Sequence, residues 1–308
     1  MIILLNGMRN AGGLLLKYGG GDMPRVAVMT DSNSGITQLD GKNMGVGVMP
    51  MPFTIDGKIY YEDVSLSREE FFQMMADDKN ILSSQPAPAD LLEMWDKALE
   101  KNDQIVYIPM SSGLSGSCQN ARMLANDYHG KVYVVNNQRI SVTQKRSVQD
   151  ALQMAANGMD AARIREVLER ERFDSSIYIM LDTLKYLKKG GRITPAAAAI
   201  GTLMRIKPVL QIKGERLDAF SKARTLNQGK TTMINAIRHD IENLYGENNV
   251  WMYAVHAQVP DEFAVFRKEV RDAFPGYEVE DDRLSLSICC HIGPGALAIA
   301  CAKKSSKL

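Results

Sequence analysis

From Arg25 onward, short apolar runs alternate with longer segments whose apolar residues recur at helical spacing. That alternation is the pattern of an α/β chain built on a parallel sheet. It predicts strands at Arg25–Met29, Gln104–Pro109 and Lys131–Val135, and helices at Ala89–Lys101, Gly116–Tyr128 and Gln144–Asn157. In the first of these helices Leu91, Leu92, Trp95, Ala98 and Leu99 share one face, which gives it a side to bury. A more polar helix over Met159–Glu171 precedes a strand at Ile177–Leu181, and there the character changes. Short strands at Pro208–Ile212 and Leu217–Ser221 flank Lys213-Gly214-Glu215, a hairpin-like turn. A long helix (Leu226–Leu244), a strand (Val250–Val255), a helix (Asp261–Ala273) and two terminal strands follow. The pattern divides the chain into an extension outside the fold (1–24), an N-terminal parallel-sheet α/β domain (25–172) and a C-terminal α/β domain (173–308).

The 308 residues suffice for two such domains, and 45% hydrophobic with 24% charged residues is ordinary globular usage. A net charge of +1 leaves no electrostatic footprint for nucleic acid, which argues against a regulator that works by contacting DNA. Cys118, Cys289, Cys290 and Cys301 have no metal-like spacing and fit a reduced, cytoplasmic setting as small core residues. No apolar stretch is long enough to span a membrane. The closing Ser306-Lys307-Leu308 spells a peroxisomal address, but three residues match by chance easily.

Five stretches carry candidate chemistry. Thr30-Asp31-Ser32 ends the first strand at the carboxyl edge of the sheet, where open α/β folds bind ligands; the same residues also suit a helix N-cap. In ILSSQPAPADLLEMW, Pro86 and Pro88 stiffen a loop that displays Ser83, Ser84 and Gln85, either as hydroxyl and amide donors or as a capping loop. The stretch IPMSSGLSGS holds Ser111, Ser112, Gly113, Ser115 and Gly116 between a strand and a helix. It misses the nucleophile elbow at its final glycine and lacks the lysine of a P-loop. What remains is a turn whose helix amides, with the Ser115 hydroxyl, favour a carboxylate or phosphate. A serine esterase or thioesterase using Ser115 and His291 is the alternative. LKYLKKGGRITPAAAAIGTLMRIKP sets Arg192 after a glycine stop and before a small-residue helix (Ala196–Met204), which suits close packing or room for an apolar ligand. Arg224 stands at a second strand-to-helix junction, where a cation opposes the helix dipole. In CCHIGPGALAIA, Gly293-Pro294-Gly295 forces a tight backbone with His291 at its entrance.

Taken in order, TDS, SSQP, SSGLSG, LKYLKKGGRI with IKP, and HIGPGA resemble the DegV family, from about Arg25 to Ala302. The resemblance implies a two-domain α/β fold, the EDD fold, with a mixed sheet in the C-terminal domain and the ligand between the domains. That ligand would be a long-chain fatty acid such as palmitate, stearate or an oleate-like acid, held without a cofactor or metal. The family's carboxylate ligands fall on Ser83 (usually threonine), Ser115 and His291. Some members look like the non-catalytic, lipid-carrying subunit of a bacterial fatty acid kinase, which presents the carboxylate to a separate ATP-dependent kinase subunit. Arg192 and Arg224 resemble the arginines such members use toward the partner or the acyl phosphate. The expected protein is a monomer with only transient membrane contact. One departure is clear: Asn136-Asn137-Gln138-Arg139 stands where many members carry an Asp-Ser pair.

Overall fold

The computed structural model describes residues 24–190 and 206–308. Most of the 1–24 extension, Arg192 and the expected helix Ala196–Met204 lie outside the described residues. The chain opens with β1 (Val26–Asp31), α1 (Gln38–Met44) and β2 (Gly47–Met49), then β3 (Pro52–Ile55), β4 (Lys58–Tyr61) and α2 (Arg68–Ala76). It continues through β5 (Ile81–Ser83), α3 (Pro88–Leu99), β6 (Gln104–Ile108), α4 (Ser117–Ala125) and β7 (Val132–Val134) to α5 (Ser141–Ala156) and α6 (Ala161–Arg170). Next come β8 (Ser175–Met180), α7 (Lys185–Gly190), β9 (Lys207–Ile212), β10 (Leu217–Ala223) and α8 (Leu226–Asp240). β11 (Val250–His256), α9 (Pro260–Ala273), β12 (Val279–Arg283), α10 (Leu286–Ile292) and β13 (Leu297–Lys303) complete the described chain.

Among the described residues these strands make three sheets. The first, in the order β2-β1-β6-β7, is parallel throughout, as the alternating pattern requires. Its strands are buried on both faces. In β6, Ile105 and Tyr107 pack toward Trp95 of α3 and Cys118 of α4, whereas Val106 and Ile108 pack toward Met154 of α5 and Ile164 of α6. Local chemistry sets the helix starts: Pro88 occupies the first turn of α3, and the Asp160 carboxylate accepts the Arg163 amide to cap α6. The second sheet, β10-β9-β8-β13-β11-β12, is mixed; only β11 and β12 run parallel. The chain crosses from one sheet to the other between Arg170 and Ser175, around Phe173.

A third sheet, β4-β3-β5, has no counterpart among the sequence expectations. Its hairpin turns at Asp56-Gly57, with φ of 47° and 83°, the left-handed pair that an Asp-Gly turn supplies. This small sheet packs Phe53, with Phe71 of α2, against the mixed sheet's apolar face. α10 was likewise not expected as a helix. Three of the four cysteines are buried in these cores, and burial pushes the Cys118 thiol up to about 11 and Cys289 up to about 12.

Glu62, at the end of the small sheet, ties the three parts together. It is buried, and its carboxylate accepts the Ser32 hydroxyl just after β1 at 2.7 Å and the backbone amide of Leu286 that opens α10. Ser32 in turn accepts the Met51 amide at 3.1 Å. Burial pushes the Glu62 carboxyl from 4.5 to about 7, against the two hydrogen bonds that favour its ionised form.

This shift has a definite sign. A carboxyl titrating near 7 when folded but near 4.5 when unfolded takes up its proton preferentially in the folded state. Its contribution therefore grows as pH falls from about 7 toward 4.5 and is lost as pH rises through 7. The melting temperature of wild type minus that of Glu62→Gln should increase on acidification from about pH 8 to about pH 5. A difference constant across that range would contradict the assignment.

Candidate functional site

A cavity runs along the seam where the mixed sheet, the small sheet, α5 and α10 meet, with about 940 Å³ of empty space counting its open mouth. Strand periodicity builds its wall. Ile177 and Ile179 of β8 point into the cavity, while Tyr178 and Met180 point into the opposite core against α8 and α9. Met110, Leu114, Val142 and Ile288 continue the apolar lining from the other side. Among its described residues none is a lysine, arginine, aspartate or glutamate.

The polar end brings together three of the sequence motifs. Ser83, the last residue of β5, pairs its Oγ with Nε2 of His291 on α10 at 2.8 Å. Ser84, Gln85 and Ser115 line the same end, and Gln85 reaches to Gly116 at the start of α4. The Ser115 hydroxyl oxygen accepts the Ser117 amide at 3.2 Å, which leaves its own proton to donate. Ser83 and His291 also border a second, outer hollow that includes Asp78, Lys79, Lys185, Tyr186 and Cys290. The Ser83–His291 pair thus stands between an apolar interior and a charged exterior. The Nε2 atom of His291 bonds Ser83 rather than Ser115, so this contact lends no support to Ser115 as a nucleophile activated by His291.

Other expected site residues do not line this cavity. Thr30 donates to the Ile108 carbonyl at 2.7 Å. Asp31 accepts from the Met110 amide at 2.9 Å, from Gln144 at 3.0 Å and from Asn33 at 3.0 Å. Ser32 is engaged by Glu62, as described above. These three serve the scaffold at the sheet edge rather than face a guest; burial without a charge partner pushes the Asp31 carboxyl up. Ser111 donates to the Glu215 carbonyl at 2.8 Å, and Ser112 lies outside the lining. Gly113 admits that same carbonyl: a Cβ there would lie 2.4 Å from the Glu215 oxygen. Its close backbone approach is to the β9–β10 hairpin, not to a ligand. Gly293 and Gly295, with φ of 76° and 92°, shape the turn after α10 against Tyr186 and Asp182. Arg224 is exposed just before α8, away from the cavity, and Arg192 lies outside the described residues.

The Asn136–Arg139 departure is a clamp. Asn137 bonds Ser147 at 2.7 Å, Arg139 reaches Ser147 and the Glu171 carbonyl, and Gln138 crosses to Glu215 at 2.9 Å. The loop thereby fixes Ile140 and Ser141 in the cavity wall. Asn33, Ser141 and Ser287 also line the cavity, and no sequence motif pointed to them.

Comparison with known proteins identifies the family and the fold. A family model described as an uncharacterised protein of the DegV family matches residues 25–304. The chain is 30% identical over 278 residues to a DegV domain-containing protein of Listeria innocua, spanning 89% of this chain and 97% of that one. Among solved structures it resembles a DegV family protein from Thermus thermophilus that is described for its fatty acid binding. That pair shares 30% identity at a TM-score of 0.82, over 91% of this chain and 99% of the other. DegV, a fatty acid binding protein from Bacillus subtilis, shares the fold at a TM-score of 0.80 and 24% identity, over 91% of this chain and all (100%) of the other.

The Gly113 contact predicts a measurable cost. Gly113→Ala must push the Glu215 backbone aside, so it should destabilise the protein by about 1–3 kcal/mol in thermal or urea unfolding. An alanine variant as stable as wild type would contradict the close contact.

Proposed function

The chain belongs to the DegV family, and on that footing we propose that it binds one long-chain fatty acid in the seam cavity. The carboxylate would lie at Ser83, Ser115 and His291, with the acyl chain against Ile177, Ile179 and their neighbours. The observation that carries this reading is a mainly apolar cavity ending at a serine–histidine pair. The Thermus thermophilus relative described for fatty acid binding supports it.

The energetics suit such a guest. Each methylene removed from water contributes about 0.8 kcal/mol, so palmitate gains affinity chiefly from its tail, offset by the cost of ordering it. The head group supplies orientation. A carboxylate taken from water is costly unless hydrogen-bonded, and two hydroxyls with an imidazole provide that bonding. A protonated ring adds charge; a neutral one donates through one nitrogen.

The position of the head group suggests its use. It faces the outer hollow bordered by Lys79 and Lys185, open to an approaching partner. In this reading the protein is a cytoplasmic, monomeric carrier without catalytic machinery of its own. A separate kinase subunit would bring ATP, a carboxylate oxygen would attack the terminal phosphorus, and the bond to ADP would break to leave an acyl phosphate. Arg192 and Arg224 would face that partner.

Mass spectrometry of lipid extracted from the purified protein should find a long-chain fatty acid, and delipidated protein should bind palmitate. Ser83→Ala and His291→Ala should each weaken palmitate by about tenfold or more, as loss of a charge-assisted hydrogen bond does, yet hardly change palmitate methyl ester. Absence of both co-purified lipid and palmitate binding would overturn the proposal.

A further inference from the structure

The cavity is not apolar throughout. One turn of α10 before His291, about 6 Å along the helix, Ser287 lines it on the same face. The Ser287 hydroxyl donates to Oδ1 of Asn33, and Ser285 lies 3.1 Å from its oxygen. Asn33 gives one amide hydrogen to Asp31 at 3.0 Å; the amide nitrogen carries two, so a second donor remains. Ser141 lines the cavity from the first residue of α5. Gln144, one turn further along α5, bonds Asp31 at 3.0 Å, which holds this end of the helix against the turn that bears Asn33. Ser141 has φ of 55°, a left-handed conformation that serine adopts at a cost. Among the described residues its hydroxyl has no hydrogen-bond partner.

We infer that Asn33, Ser141 and Ser287 form a second polar subsite inside the acyl cavity, which recognises an oxygen carried by the chain itself. This rests on the reading of the cavity as a fatty acid site and narrows its ligand to a class: fatty acids with a hydroxyl or keto oxygen on the carboxyl-proximal half. Such an oxygen accepts from Ser141 and from the spare Asn33 hydrogen, and a chain hydroxyl donates back to the Ser287 oxygen. A plain methylene leaves those groups without partners in an otherwise apolar wall.

Calorimetric titration of the delipidated protein with stearate and with hydroxystearates differing in hydroxyl position tests this. One positional isomer should bind about three- to tenfold more tightly than stearate, the worth of one net hydrogen bond. In Ser141→Gly, which fits the left-handed backbone, the ratio of the two affinities should fall to one or below, and Ser287→Ala should lower it as well. Stearate bound as tightly as every isomer overturns the inference and leaves the fatty acid reading standing, as does a ratio unchanged in both variants. If neither stearate nor any isomer binds, both fall together.

Discussion

The hydrogen bond between Ser83 and His291 joins residues 208 positions apart and is the contact on which the site depends. It links the last residue of a small-sheet strand to a short helix packed on the mixed sheet, so it can form only when both units are seated. On one side of it lies apolar wall and on the other a hollow with lysines. A molecule that satisfies both environments has a long apolar body and a polar, hydrogen-bonding end. The pair therefore constrains the class of guest more tightly than either residue does alone.

Keeping that pair in place falls to acidic residues that never touch the cavity guest in this account. Asp31 gathers the amides of Met110 and Asn33 with the Gln144 side chain. Glu62 holds the first amide of α10, the helix that presents His291. Glu215, at the tip of the β9–β10 hairpin, receives Ser111 and Gln138 and fills the space that Gly113 leaves open. Asp31 and Glu62 are buried between layers, where an unmade hydrogen bond costs far more than a made one contributes, whereas Glu215 is exposed and acts through its backbone carbonyl and its reach to Gln138. The two sheets consequently meet in one arrangement, with the cavity as the gap that their side chains do not fill.

Much of this was legible in the chain. The buried strands β1, β6 and β8 and the helices α3, α5 and α6 follow from periodicity to within a few residues, because their apolar faces meet the core directly. The three stretches that converge on the polar end, SSQP, SSGLSG and HIGPG, were recognisable as candidates for hydroxyl and imidazole chemistry. The hairpin β3–β4 carried a readable signal in FTIDGKIYY, since Asp-Gly between β-favouring residues is a strong turn pattern. α10 did not: LSICCHI is short and offers no capping side chain or helical period long enough to see. The engagement of Thr30, Asp31 and Ser32 was equally invisible, because Ile108, Gln144 and Glu62, which occupy them, are remote in sequence. Gly113 is similar. A glycine beside serines reads as room for a ligand, and only the folded chain reveals that the β9–β10 hairpin takes the room.

The most direct measurement is carbon-13 NMR of the delipidated protein with one equivalent of palmitate labelled at its carboxyl carbon. One protein-bound carboxyl resonance is expected, and it should move in both Ser83→Ala and His291→Ala if those side chains hold the head group. A bound resonance unchanged by either substitution, or none at all beside free palmitate, would contradict this account.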